Sequence, residues 1–202
     1  MIINNILQHI FSTPSNVIVL RTLNSRVVGI SGREIARISK LSTRTAQSVL
    51  ANLESLGLVN RTIGGRDHLF TLNRNNKIVS KLIKYIFEFE DGFSKEIISS
   101  IKKKLSPLVS SLIIFGSVAR KEEESSSDLD LCIVHTKNKI KIENSVSELR
   151  DRLYDDYKVT LAPFYITETD FKKRAKRNQS PVNSIIKDGT LIAGKPIREL
   201  IK

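Results

Sequence analysis

One stretch, FGSVARKEEESSSDLDL from Phe115 to Leu131, constrains the fold more than any other part of the chain. It follows LVSSLIIF, an apolar and β-branched run that reads as a buried strand. Gly116 and Ser117 then make a tight turn into a short helix starting near Val118, presenting backbone N–H groups and a hydroxyl to an anion. KEEESSS is a polar loop, and DLDLCIV returns as a second strand. Alternate strand residues share a face, so Asp128, Asp130 and Cys132 look one way while Leu129, Leu131 and Ile133 look the other. Two carboxylates converging on an anion-binding turn are what a pair of divalent metals needs in phosphoryl transfer.

The segments that follow supply a helix, ENSVSELRDRLYDDY, and a strand, KVTLAPFYIT, that contains no acid. Asp155 and Asp156 precede that strand, and Glu168 and Asp170 lie beyond it. The run KKRAKR, Lys172 to Arg177, reads as a solvated helix face or as a clamp for nucleic acid or phosphates. The tail suggests a helix stopped by Gly189 and a short hairpin around Gly194 and Lys195. His9, His68 and His135 are scattered one per region and Cys132 lies in an apolar strand, which argues against a zinc site or a Cys-His nucleophile.

The first third of the chain is the more purely basic part. Up to Lys77 there are ten Lys and Arg against three acids, Glu34, Glu54 and Asp67, within a whole-chain net charge of +12. A polyanion is the expected partner for such a chain. Pro14 opens a helix, PSNVIVLRTL, and Ser31 is an N-cap for GREIARISK. In STRTAQSVLANLESLG, Ala46, Val49, Leu50 and Leu53 follow the spacing of an amphipathic helix that Gly57 ends. Two extended runs, LVNRTI and HLFTL, are joined by a Gly-Gly-Arg-Asp turn suited to a hairpin. Between this part and LVSSLIIF, the spacing predicts two helices broken near Asp91 and Gly92, with Pro107 marking the next entry. Ile78, Leu82, Tyr85, Ile86 and Phe89 form a stripe expected to pack between domains or between subunits of a homodimer. No apolar run reaches about 18 residues, so no membrane span is expected. The N-terminus lacks signal-peptide features and the single cysteine cannot staple an extracellular fold, so a reducing cytoplasmic location is expected.

Two resemblances follow from these residues. The phrase GREIARISKLSTRTAQSVLANLESLGLVNR resembles the winged helix-turn-helix domains of bacterial and archaeal regulators, over roughly residues 1–73. It implies that the second helix of the pair enters the major groove of double-stranded DNA through Ser42, Thr43, Arg44, Thr45, Gln47 and Ser48. Arg61 and Arg66, on the wing, would lie near phosphate or the adjacent minor groove. The same surface would also serve a protein-interaction module.

FGSVAR followed by SDLDL resembles the DNA polymerase β-like nucleotidyltransferase superfamily in its minimal form, over roughly Ser94 to Thr169. The resemblance implies that Gly116 and Ser117 hold a nucleoside triphosphate, ATP in the first instance. It also implies that Asp128 and Asp130 bind Mg²⁺ as the catalytic pair, with Arg120 near phosphate. The glycine that the family places after Ala-Arg is Lys121 here, which stiffens the loop. The family's third carboxylate, which faces the metals from a later strand, is missing, with Thr160 or else Ala162 in its place. Members of the minimal group also act as antitoxins beside HEPN-type ribonucleases, which implies a toxin-type protein partner.

The expected fold is α+β. A winged helix over 1–73 and a helical connector over 74–93 precede a nucleotidyltransferase-like domain over 94–202, a small mixed sheet with flanking helices. Two functions compete. One is transfer of a nucleoside monophosphate to a protein, RNA or small-molecule hydroxyl. The other is a transcriptional regulator or antitoxin whose transferase domain has lost catalysis.

Overall fold

The computed structural model describes residues 3–65, 67–136 and 139–202, and the chain divides into two compact units, 1–92 and 93–202. In the first unit, α1 (Ile6–Ile10) and α2 (Pro14–Asn24) lead to a two-residue strand, β1 (Ile30–Ser31). Helices α3 (Gly32–Ile38) and α4 (Thr43–Ser55) follow, then strands β2 (Val59–Gly64) and β3 (Asp67–Leu72). Local chemistry sets these boundaries. The hydroxyls of Thr13, Ser31 and Ser42 accept from Asn16, Glu34 and Thr45 N–H groups, satisfying donors left free at the helix starts. Gly57, at φ +71°, makes the left-handed exit after α4. The three strands form an antiparallel sheet in the order β1-β3-β2, with Val59 opposite Leu72 and Gly64 opposite Asp67.

The core of this unit joins Val19, Leu20 and Leu23 of α2 to Ile35, Val49, Leu50 and Leu53 of α3 and α4. Val79, Ile83 and Phe87 close it from the segment after β3. Those three are buried, whereas Tyr85 and Phe89 of the expected stripe are 62% and 67% exposed. A π-helical turn runs over Val79–Ile83 and carries the first two of these buried residues.

The expected break near Asp91 and Gly92 is corrected. Helix α5 (Lys84–Leu105) runs through both residues. A glycine inside a helix costs only about 1 kcal/mol relative to alanine, and apolar residues on either side, Phe87 before it and Ile97 and Ile101 after it, are buried.

In the second unit, β4 (Ser111–Ile114), α6 (Gly116–Arg120) and β5 (Leu129–His135) come first. Then follow α7 (Lys139–Tyr157), β6 (Leu161–Thr167), α8 (Glu168–Lys176), α9 (Val182–Asp188), β7 (Thr190–Gly194) and α10 (Ile197–Leu200). The sheet order is β6-β5-β4-β7, with β5 and β6 parallel and the other pairs antiparallel. One face packs Leu129, Leu131 and Ile133 against Ile97 and Ile101 of α5 and Ile142, Val146 and Leu149 of α7. The other packs Ile113, Cys132 and Val134 against Phe171 of α8, Val182 and Ile185 of α9 and Leu200 of α10. The expected hairpin around Gly194 is corrected too, because β7 pairs with β4 and not with a neighbour in sequence. Gly194, at φ +88°, sits where a Cβ would run into the Ser110 carbonyl, so strand contact and not a turn requires the glycine. Among the described residues no helix is long and apolar enough to cross a membrane.

Candidate functional site

The site forms where β4 ends and β5 begins. The Phe115 N–H donates to the Asp130 carbonyl at 3.1 Å, so the chain leaves the sheet beside the second aspartate. Gly116 follows at φ +73°, and a Cβ there would collide with Oδ2 of Asp130. Glycine is therefore required twice, for the left-handed backbone and because the carboxylate fills the space of a side chain. The helix begins at Gly116 itself, two residues before the expected start near Val118. It is five residues long, so what it could offer an anion is the turn's own N–H groups and not a long helix dipole. Helix α6 ends on Lys121, at φ 58°, where the backbone adopts the conformation that glycine favours.

Asp128 is exposed and Asp130 half-buried. Burial pushes the Asp130 carboxyl above its ordinary value; Asp128 adds to this and Arg120 opposes it. Like charges close together raise the cost of ionising both, and a cation between them would remove it. Two carboxylates joined by substrate phosphates are a donor set of the hard-oxygen kind that suits Mg²⁺. Among the described residues no group of three or more His, Cys, Asp or Glu side chains is arranged to hold a metal ion. Burial pushes the Cys132 thiol up to about 12, so it is no nucleophile at neutral pH.

The neighbouring strand has no acid to add. Leu129 pairs with Leu161 and Asp130 with Ala162, and the Leu129 N–H donates to the Thr160 carbonyl at 2.8 Å. That register sets Ala162 alongside Asp130, with Thr160 next to the start of β5. Of the acids around β6, Asp156 pairs with Arg152 at 3.3 Å and Glu168 with Lys195 at 2.8 Å. The Asp170 carboxylate accepts from the Thr167 hydroxyl at the start of α8. KKRAKR lies along and just past α8, where Arg174 stands 5.7 Å over the Phe164 ring.

Arg120 donates from Nε to Glu122 at 2.8 Å. That hydrogen bond raises its pKa, and Asp188 and Asp130 contribute in the same direction. Asp188, at the end of α9, is a residue that the sequence reading missed, and no local pattern marks it. Its place depends on β7 pairing with β4.

In the first unit, Ser42, Thr43, Arg44, Gln47 and Ser48 are exposed on one end of α4, and Thr45 is half-buried. Ser42 and Thr45 share a hydroxyl hydrogen bond of 2.8 Å and cap the helix. Arg44, Thr45 and Ser48 line an open cleft with Ser12, Thr13 and Asn16. Arg61 is bridged to Glu54 of α4 at 3.1 Å, and Arg66 lies outside the described residues.

Residues 94–190 match the family model described as Nucleotidyltransferase domain. No curated protein matches the chain. Among solved structures, it is similar to a mutant of the toxin-antitoxin MntA-HpeT at 15% identity and a TM-score of 0.37, over 53% of this chain and 79% of that one. A toxin-antitoxin structure with AMP-PNP shares 17% identity at a TM-score of 0.35, over the same shares of the two chains.

Proposed function

We propose that this is a DNA-binding protein whose second unit binds a nucleoside triphosphate, ATP first, together with Mg²⁺. The observation that carries the nucleotide reading is the fit of the Asp130 carboxylate into the space above Gly116, which joins the anion-binding turn to the carboxylate pair. Gly116 and Ser117 would receive the phosphates, and Asp128 and Asp130 would hold the metal. Mg²⁺ bound there supplies charge neutralisation at the phosphates. Arg120, one helical turn after Gly116, adds a positive charge on the same side.

The acid-free register of β6 favours the reading in which this site binds nucleotide but transfers it poorly, because β6 sets Ala162 and no carboxylate opposite Asp130 to take the proton of an attacking hydroxyl. In the first unit, the α3–α4 pair followed by the β2–β3 hairpin supports a winged helix, with α4 as the groove-reading element. Calorimetry with Mg²⁺ and ATP tests the nucleotide reading. Asp130→Asn should remove most of the binding, since it takes away a charged ligand and keeps the shape, while Cys132→Ser should leave it intact. Equal affinity in the unaltered chain and Asp130→Asn would falsify the assignment.

A further inference from the structure

The helical segment from Val79 into α5 carries apolar residues on two faces. Val79, Ile83 and Phe87 belong to the core of the first unit, whereas Tyr85 and Phe89 are exposed, with Leu82 and Ile86 half-buried beside them. Leu82, Tyr85, Ile86 and Phe89 stand at the i, i+3, i+4, i+7 spacing of one helix face and so make a continuous apolar stripe. Written as a heptad, Leu82 and Phe89 take position a and Tyr85 position d, the seam of a helix pair. Arg21 of α2 ties α5 to the unit through Glu90 at 2.6 Å, so the stripe is displayed on an anchored helix.

The charges beside the stripe select what covers it. Lys81 and Glu88, both exposed, lie seven residues apart on one flank, at the g positions, and Ile86 lies on the other flank, at e. Two parallel helices bring the g flank of one against the e flank of the other, which sets Lys81 against Ile86 and leaves the charges unmatched. Reversing one helix brings the two g flanks together, so that Lys81 of each copy meets Glu88 of the other, twice by symmetry. Among the described residues Lys81 makes no ion pair, and Glu88 pairs only with Lys84, at 3.7 Å between half-exposed side chains, a contact weak enough to be exchanged.

We propose that a second copy of this chain covers the stripe: two first units pair through the Leu82–Phe89 faces, antiparallel about a two-fold axis, with Lys81 of each copy against Glu88 of the other. These few side chains fall short of the about 20–30 residues a side of a standard interface, so the dimer is weak and salt-sensitive. The same axis relates the two α4 helices, the symmetry that an inverted repeat in DNA offers. The dimer needs neither bound nucleotide nor bound DNA.

Sedimentation equilibrium of the full chain, from about 1 μM to about 1 mM, should show a reversible monomer–dimer equilibrium that weakens as salt rises. Tyr85→Glu should weaken it by about tenfold or more, since it puts a charge into the seam. Lys81→Glu and Glu88→Lys should each weaken it by about threefold or more, by setting like charges against each other. The double reversal, Lys81→Glu with Glu88→Lys, should return to within about twofold of the unaltered chain. An equal mixture of the two single variants should associate more tightly than either alone, a result that also requires both to be folded. A chain that stays monomeric up to about 1 mM overturns the proposal and leaves the stripe to a different protein. A dimer untouched by Tyr85→Glu overturns it as well. A double reversal no better than the single changes, with a mixture no tighter than its parts, overturns the antiparallel pairing.

Discussion

The two candidate surfaces of this chain are built in opposite ways. The first is carried by one helix, α4, whose exposed residues Ser42, Thr43, Arg44, Gln47 and Ser48 lie within two turns of each other and whose buried face, Ala46, Val49, Leu50 and Leu53, is fixed by the same helical repeat. The second is assembled from the end of β4, the start of β5, the flank of β6 and the end of α9, segments as far apart in sequence as Gly116 and Asp188. A helical surface tolerates change at one position because its geometry is local. An assembled site depends on close approach between distant backbones, so it fails when that approach is blocked.

The largest effect should therefore come from filling the space above Gly116. Gly116→Ala places a methyl group against the Asp130 carboxylate and imposes a left-handed φ on a residue with a side chain. Loss of Mg²⁺-dependent ATP binding by about a hundredfold or more is expected, with a fall in stability of about 2 kcal/mol, read by calorimetry and urea unfolding. Near-normal binding in that variant would break the comparison, because the site would then be as forgiving as a helix surface.

Next in size is the gain at β6. Thr160 is exposed and its carbonyl accepts from the N–H of Leu129, between the two aspartates, so Thr160→Asp adds a carboxylate without burying a charge. Transfer of labelled nucleotide to protein or RNA acceptors should rise by about tenfold or more if a base is what the site lacks. Fast transfer by the unaltered chain, lost in Asp128→Asn, would instead show that catalysis does not need an acid on β6.

A smaller change is expected on α4. Arg44→Ala should weaken duplex binding severalfold and lower the log–log salt slope by about 0.9, the value for one phosphate contact. Unchanged binding and slope would turn the surface towards a protein partner. Arg61 gives a further contrast, since its ion pair with Glu54 must open before it reaches a phosphate.

Legibility in the sequence follows the same division. The caps at Ser31 and Ser42 and the exit at Gly57 depend on residues at most four apart, and the residue types alone indicate them. The alternation of Asp128, Asp130 and Cys132 against Leu129, Leu131 and Ile133 is likewise local, and the two faces of β5 pack into different clusters. Gly92 was misleading because a local helix-weakening signal was outweighed by burial on either side of it. The burial of Val79, Ile83 and Phe87 was not foreseen, and the π-helical turn over the first two leaves no mark that periodicity can detect. Asp188 was invisible because its place beside α6 depends on a β4–β7 pairing that only the folded chain creates.

The smallest expected effect lies at the other end of α6 and has the opposite sign to that at Gly116. Lys121 holds φ 58° as the C-cap of that helix, with its N–H donating to the Val118 carbonyl at 3.2 Å. A side chain in this region costs about 1 kcal/mol, whereas glycine adopts it freely. Lys121→Gly should relieve that strain while giving back part of the gain as extra freedom in the unfolded chain, leaving a net stabilisation of about 0.5 kcal/mol. The Lys121 side chain is exposed and makes no ion pair among the described residues, so its removal takes away no contact that would offset the gain. Urea unfolding of the full chain reads the change as a higher midpoint at constant slope. One substitution to alanine at Gly116 and one to glycine at Lys121 thus ask the same question at the two ends of a five-residue helix, and a destabilised Lys121→Gly would mean that stiffness after Arg120, not backbone strain, is what this position supplies.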